Sequence, residues 1–228
     1  AMDEGIFNPD LYLERLENSI KDSVPAPVAL IVSFPSNPTA QVVSLEFYKE
    51  LVKIALKYNV YILSDLAYAE IYYDDIKPPS ILEVSRAKEV AVEFTSMSKT
   101  YAMAGWRIGF AVGNTKLIYA LTRIKSYLDY GAFTPVQVAA ASALNGPQSC
   151  VEDIRNTYQR RRDVLITSMA RSGWDIPKPQ ASMFAWAPLP EKYKSKGSLE
   201  FAKELMLKAD VAVAPGVAFG EYGEGYVR

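Results

Sequence analysis

Apolar residues recur along the chain in two rhythms. From Leu11 to Lys21 they fall at Leu11, Leu13, Leu16 and Ile20, the spacing of a short amphipathic helix. Val28-Ala29-Leu30-Ile31-Val32 is instead a continuous, largely β-branched run, which predicts a buried parallel strand. Two prolines and Asn37 then force a loop over 33–39. Ser44 is placed to cap a helix carrying Leu45, Tyr48, Leu51, Val52, Ala55 and Leu56 on one face. Val60 to Ser64 reads as the next strand, ending at Asp65-Leu66-Ala67-Tyr68. A polar, proline-bearing stretch follows over 74–80, then apolar runs at Val90 to Phe94 and Arg107 to Val112. Strand, helix and strand at a spacing of roughly 30 residues is the rhythm of an α/β sheet.

The second half turns helical, over 115–127, 135–144 and 151–172. Arg160-Arg161-Arg162 lies inside the last of these. With acids flanking it and a near-neutral total, it reads as a solvated helix face and not as a nucleic-acid patch. Beyond Gly173 the pattern predicts a strand at Met183-Phe184-Ala185-Trp186, a helix over 199–208 and a strand over 211–214. A Gly-rich turn follows over 216–225, and a strand begins at Gly225-Tyr226-Val227-Arg228. At the other end, Asp3 to Asp10 reads as a loop.

Composition narrows the chemistry. The 228 residues are half hydrophobic and 22% charged, with a net charge of −1, an ordinary globular balance that offers no electrostatic case for nucleic acid or a membrane surface. There is no histidine, so no Ser-His-Asp or Cys-His system and no His-ligated metal can be built within this chain. The single cysteine, Cys150, excludes an internal disulfide and suits a reducing compartment, hence a cytoplasmic location. No apolar run approaches a membrane span.

Chemistry that remains must use lysine, arginine, tyrosine, carboxylates or a borrowed cofactor. Lys99 stands between Ser98 and Thr100, just after an apolar strand. Shielded from bulk water, its amine can lose its proton and attack an aldehyde. The neighbouring hydroxyls and Arg107 suit a phosphate, whose oxygens match the paired donors of a guanidinium. Aldehyde and phosphate in one ligand point to pyridoxal phosphate. Ligands of α/β sheets gather beyond the carboxyl ends of the strands. Asn37, Asp65 and Lys99 each follow such an end, so three polar groups are delivered to one rim.

Asn37-Pro38-Thr39, Ser64-Asp65-Leu66-Ala67-Tyr68 and the stretch from Ser96-Met97-Ser98-Lys99-Thr100 to Gly105-Trp106-Arg107 resemble, in order and spacing, the signatures of class I/II aminotransferases. These are fold type I pyridoxal-phosphate enzymes. Phe34-Pro35-Ser36-Asn37-Pro38-Thr39-Ala40-Gln41, Arg123-Ile124-Lys125-Ser126-Tyr127 and Gly131-Ala132-Phe133-Thr134-Pro135 resemble the bacterial glutamate–pyruvate (alanine) branch. The wider family has Gly where this chain has Ala40.

The resemblance implies an α/β fold: the mostly parallel sheet of an incomplete large domain over 1–146, a bridging helix over 147–172, and part of an α+β small domain over 173–228. It implies that Lys99 takes the cofactor's aldehyde covalently and shuttles the proton at the substrate α-carbon. Asp65 pairs with the pyridine nitrogen, where a carboxylate keeps the ring protonated. Asn37 and Tyr68 donate to the phenolic oxygen. Ser96, Ser98 and Arg107 hold the phosphate. Arg228, with Asn37, receives the substrate carboxylate. The implied partners are an amino acid, a 2-oxo acid and a second subunit in a homodimer, with neither nucleic acid nor membrane. Family members run beyond this chain at both ends, so the expectation is a fragment lacking a phosphate loop and a ring-stacking aromatic. Aspartate or LL-diaminopimelate aminotransferase, a carbon–sulfur lyase and a non-catalytic regulator domain are the alternatives.

Overall fold

The structure is a computed structural model describing residues 2–3 and 6–228. Strands β1 (Met2–Asp3) and β2 (Ile6–Phe7) pair antiparallel and lead into α1 (Pro9–Asp22). The loop expected over 3–10 is therefore partly strand, and its residues 4 and 5 lie outside the described residues. The helix starts early for two local reasons. Asn8 accepts the Leu11 N–H at 3.0 Å, and Pro9 occupies the first turn, where no N–H is needed.

The main sheet contains β3 (Ala29–Ser33), β4 (Tyr61–Asp65), β5 (Ala91–Ser96) and β6 (Gly109–Gly113), in that spatial order. The first three are parallel and β6 is antiparallel to β5. Register aligns the strand ends: Ser33 faces Asp65, and Asp65 faces Phe94. Between β3 and β4, α2 (Leu45–Tyr58) is capped as its sequence predicts, Ser44 Oγ accepting from Phe47 N at 3.2 Å. Helices α1 and α2 cover one face of the sheet. Its core includes Leu30, Val32, Leu51, Val52 and Ile62, with Phe7, Tyr12, Phe34 and Phe47 in mutual ring contact.

The opposite face of β3 is not covered. Ile31 is 77% exposed while Leu30 and Val32 are buried, so the strand expected to be buried throughout is buried on one side only. Among the described residues β3 pairs with β4 alone, and its apolar run serves a face this chain does not itself enclose.

The short helix α3 (Ala87–Val90) precedes β5, and α4 (Met97–Thr100) follows it directly. Asn114 caps α5 (Thr115–Leu128) through its carbonyl and ties it to α3 by donating to Lys88 O and Glu89 O. Then come α6 (Thr134–Asn145) and the long α7 (Ser149–Arg171). A second apolar cluster forms past α7. There Ile176, Ala187, Leu189, Phe201 and Val227 join β7 (Ala187–Pro188), α8 (Gly197–Ala209) and β8 (Tyr226–Val227), with β7 and β8 antiparallel.

Three expectations change in this half. The strand expected at Met183–Trp186 lies instead at Ala187–Pro188, because Ser182 takes a left-handed turn (φ 71°) and the next residues spend their rings elsewhere. Phe184 packs on Tyr68, and Trp186 stacks on Tyr226. The strand expected over 211–214 is not formed. Only Ala214 is paired, exchanging both backbone hydrogen bonds with Arg228 at 3.0 and 2.9 Å. The triple arginine is not uniformly solvated either: Arg162 is 5% exposed and faces inward onto acids.

Candidate active site

The loop after β3 carries Asn37, β4 ends in Asp65, and β5 runs through Ser96 into α4, whose third residue is Lys99. The aligned parallel strands thus bring an amide, a carboxylate and an amine to one edge. Asp65 is exposed, held by the Ala67 N–H at 3.1 Å and the Ser33 hydroxyl at 3.4 Å. It has no cationic partner among the described residues. The turn after Asp65 buries Tyr68, whose ring lies 5.9 Å from the Lys99 amine. Burial, seconded by the charge of Asp65, pushes the Tyr68 phenol above its ordinary pKa, while Arg228 acts the other way. The hydroxyl therefore stays protonated, able to donate, across the neutral range.

Arg228 reaches the same edge from the far end of the chain. Its Nη1 donates to Asn37 Oδ1 at 2.7 Å. Its guanidinium carbon lies 4.3 Å from the centre of the Phe184 ring and 4.8 Å from that of Phe219. No carboxylate pairs with it among the described residues. A cation steered by two aromatic faces and one amide, with donors to spare, is arranged to receive an anion.

The expected phosphate group is less gathered. Ser96 Oγ accepts from Ser98 N at 3.2 Å as the cap of α4, and Ser98 is buried. Arg107, with φ 52°, is exposed and turns its Nη1 to Ala104 O at 2.8 Å, and among the described residues it makes no hydrogen bond to either serine. The structure thus brings Asn37, Asp65, Tyr68, Lys99 and Arg228 to one edge; Arg107 stands beside that edge, where Met97 N donates to Ile108 O at 3.2 Å, but its side chain turns to Ala104. A recess of about 300 Å³ opens beside Lys99, lined by Ser98, Ala102, Asp153, Tyr158 and Met183 among others, but neither Asp65 nor Arg228 lines it. One of about 430 Å³ touches Ser96 but not Lys99. The Asp65 side is an open rim.

Three contributors escaped the sequence reading. Ser33 supports Asp65 from the neighbouring strand, which strand register alone reveals. Phe184 and Phe219 hold Arg228. The pattern places the first in a strand and the second in a Gly-rich turn, and only the tertiary path of the chain shows that both rings meet a guanidinium.

An amine, an acid, a buried phenol and a guanidinium, without counter-ions of their own among the described residues, thus stand at the carboxyl ends of parallel strands, where ligands of α/β sheets gather. The chain belongs to the class I and II aminotransferases, whose family profile matches residues 8–228, and that class depends on pyridoxal phosphate. AatC of Rhizobium meliloti is 59% identical over 99% of this chain and 54% of its own length. The glutamate-pyruvate aminotransferase AlaC of Escherichia coli is 55% identical over 95% of this chain and 53% of its own. Among solved structures, the aromatic aminotransferase of Pyrococcus horikoshii superposes with a TM-score of 0.87 at 30% identity, over 99% of this chain and 58% of that one. The chain spans about half the length of the curated relatives it matches.

Among the described residues no helix is long and apolar enough to cross a membrane, and no cluster of His, Cys, Asp and Glu is placed to hold a metal ion.

Proposed function

We propose that this chain carries the central catalytic residues of a pyridoxal-phosphate aminotransferase that moves an amino group between an L-amino acid and a 2-oxo acid. The observation that carries the reading is the convergence of Lys99, Asp65, Tyr68 and Arg228 on one edge, where among the described residues the charged groups find no counter-ion. These residues fit the cofactor's donor set. Lys99 Nζ holds it covalently, Asp65 pairs with its ring nitrogen, and Asn37 and Tyr68 donate to its phenolic oxygen. Ser96, Ser98 and Arg107 take its phosphate, the last once its side chain leaves Ala104. When bound, the cofactor supplies an electron sink for the substrate's α-carbon. Arg228 and Asn37 would bind and orient the substrate carboxylate, and Lys99 Nζ, freed when the substrate's amine takes its place, would carry the α-proton from the substrate carbon to the cofactor.

Glutamate and pyruvate are the leading substrates, supported by the 55% identity to AlaC. LL-diaminopimelate is the second reading, supported by an LL-diaminopimelate aminotransferase of Moorella thermoacetica that is 43% identical over 90% of this chain and 53% of its own length. The working protein is a cytoplasmic homodimer. Within it, residues 1–146 belong to the large domain, 147–172 bridge, and 173–228 belong to the small domain.

Borohydride reduction of the cofactor-loaded, full-length protein is expected to fix the cofactor to the peptide containing Lys99, and Lys99→Ala to abolish turnover. Label on any other lysine overturns the assignment. Offering each amino acid in turn, and following the cofactor's absorbance as it takes the amino group, identifies the substrate pair.

A further inference from the structure

One inward-facing arginine lies outside the site and is connected to it by backbone. Of the three consecutive arginines in α7, Arg162 is buried. Its Nη1 donates to Asp74 Oδ2 at 2.8 Å and to Pro179 O at 3.1 Å, its Nη2 to Asp74 Oδ1 at 2.9 Å, and its Nε to Asp163 Oδ1 at 3.0 Å. The guanidinium also lies over the Tyr73 ring, 4.4 Å from its centre. Three segments distant in sequence meet on this one side chain: α7, the turn after Tyr68, and the strand-like crossing that begins at Pro179.

The last two are laced together beyond the arginine. Tyr73 N donates to Gln180 O at 2.9 Å, Ser182 N donates to Ile71 O at 2.8 Å, and the Tyr73 hydroxyl donates to Ser182 O. The left-handed turn at Ser182 then swings the chain to Phe184. That ring stands edge-on to Tyr68, centroids 5.5 Å apart, and lies under the Arg228 guanidinium. A short, hydrogen-bonded backbone path therefore runs from Arg162 to the aromatic support of the carboxylate-binding arginine.

We infer that Arg162 is a positioning residue for substrate-carboxylate binding, acting through the segment from Pro179 to Phe184. The inference rests on the aminotransferase reading of the site. A buried arginine is tolerated only when its charge and its donors are matched, as Asp74, Asp163 and the Pro179 carbonyl match them here. An apolar residue of similar length fills the space but holds neither the aspartate nor the carbonyl. Phe184 is then free to leave Tyr68, and Arg228 loses one of its two aromatic walls. Carboxylate binding is made in ground state and transition state alike, so its loss raises KM more than it lowers kcat.

The test uses the full-length, cofactor-loaded protein. Arg162→Met is expected to raise KM for both the amino acid and the 2-oxo acid by about 10-fold, with kcat changed less than about 3-fold and the visible absorbance of the cofactor unaltered. Phe184→Leu is expected to act in the same direction, and the double variant to be no worse than the more impaired single, because both act on one path. Arg162→Lys, which keeps the charge and loses the fork, is expected to lie between wild type and Arg162→Met. If Arg162→Met does not fold, Asp74→Asn removes the partner from the more exposed side of the pair and is expected to give a smaller KM rise of the same kind.

Unchanged KM in whichever of these variants folds, or KM effects that multiply in the double, overturns the inference. A crystal structure of the variant gives a readout independent of turnover. Phe184 is expected to leave its edge-on contact with Tyr68, and an unmoved ring refutes the proposed path. If the wild-type protein transaminates nothing, the aminotransferase reading fails on its own, while the ring position still decides whether Arg162 places Phe184.

Discussion

At the scale of single residues, Arg228 is the group whose chemistry is most exposed to test. Its planar fork offers two aligned donors to a carboxylate, where lysine offers a point charge. Every amino-acid and keto-acid substrate carries that carboxylate, so the effect of losing the fork is general. A charge-assisted hydrogen bond is worth about 1.5–3 kcal/mol. Arg228→Lys in the full-length enzyme is therefore expected to lower kcat/KM by roughly 10-fold to 100-fold for alanine and glutamate alike, each 1.4 kcal/mol being a factor of ten. Bound cofactor, measured by absorbance, is expected to stay near its normal level. An unchanged kcat/KM, or a site emptied of cofactor, contradicts the role. Lys99, Asp65 and Asn37 were legible in sequence because each sits where an apolar strand run breaks off, and that position follows from local pattern alone. The inward turn of Arg162 was not legible. Its neighbours Arg160 and Arg161 carry the same charge on the same helix, and only the approach of Asp74 from a distant loop tells them apart.

At the scale of elements, the turn that delivers Arg228 depends on two glycines. A Cβ on Gly223 would collide with the backbone of Gly216, and one on Gly216 with the carbonyl of Gly223. Glu224 then fastens this turn to the start of α8, accepting from Ser198 N at 2.6 Å and from the Ser198 hydroxyl at 3.0 Å. The Gly225 N–H first, and then the Ser198 donors, hold its carboxyl below the usual glutamate range. Gly223→Ala is expected to destabilise by about 1–3 kcal/mol, the cost of forcing atoms into a filled space. Denaturant midpoints measure this, and a midpoint equal to wild type shows that the two segments can part without cost. Helices and parallel strands were read well because their periods are strong: α2 begins at its Ser44 cap and ends within two residues of its last periodic position. The strands expected near 183 and 211 failed for one shared reason. Apolar content there serves ring contacts and a second cluster, and β-branched or aromatic residues signal burial before they signal pairing.

At the scale of the whole molecule, the sheet and helices leave much apolar surface uncovered. Tyr119, Tyr127, Leu128, Tyr130 and Phe133 on and after α5 are all more than 60% exposed, as is Ile31 on β3. By the two-residue period of the strands, Asp65, the proposed ring partner, lies on the sheet face that Ile31 leaves bare. The 228-residue chain by itself is therefore expected to transaminate poorly or not at all and to associate through its bare faces, since uncovered apolar patches of this kind drive association. Adding the remaining length typical of the relatives is expected to give an active homodimer. Steady-state assays and light scattering on both forms decide it. Full turnover by the shorter chain shows that the open rim suffices.

The Asn37–Arg228 hydrogen bond joins residues separated by 191 positions, whereas Ser33 and Asp65, which prepare the other half of the edge, are 32 apart. Closing the longer span costs about 1.6 kcal/mol more chain entropy, by the logarithmic dependence on loop length. A chain emerging from a ribosome can therefore set its sheet, its aspartate and its lysine in place while the arginine is still unsynthesised. The proposed grip on a substrate carboxylate forms only once residue 228 has cleared the exit tunnel and folded back onto Asn37. The proposed carboxylate contact is thus a late one along the chain: a nascent chain stalled before Val227 has the sheet, the aspartate and the lysine but not yet the arginine.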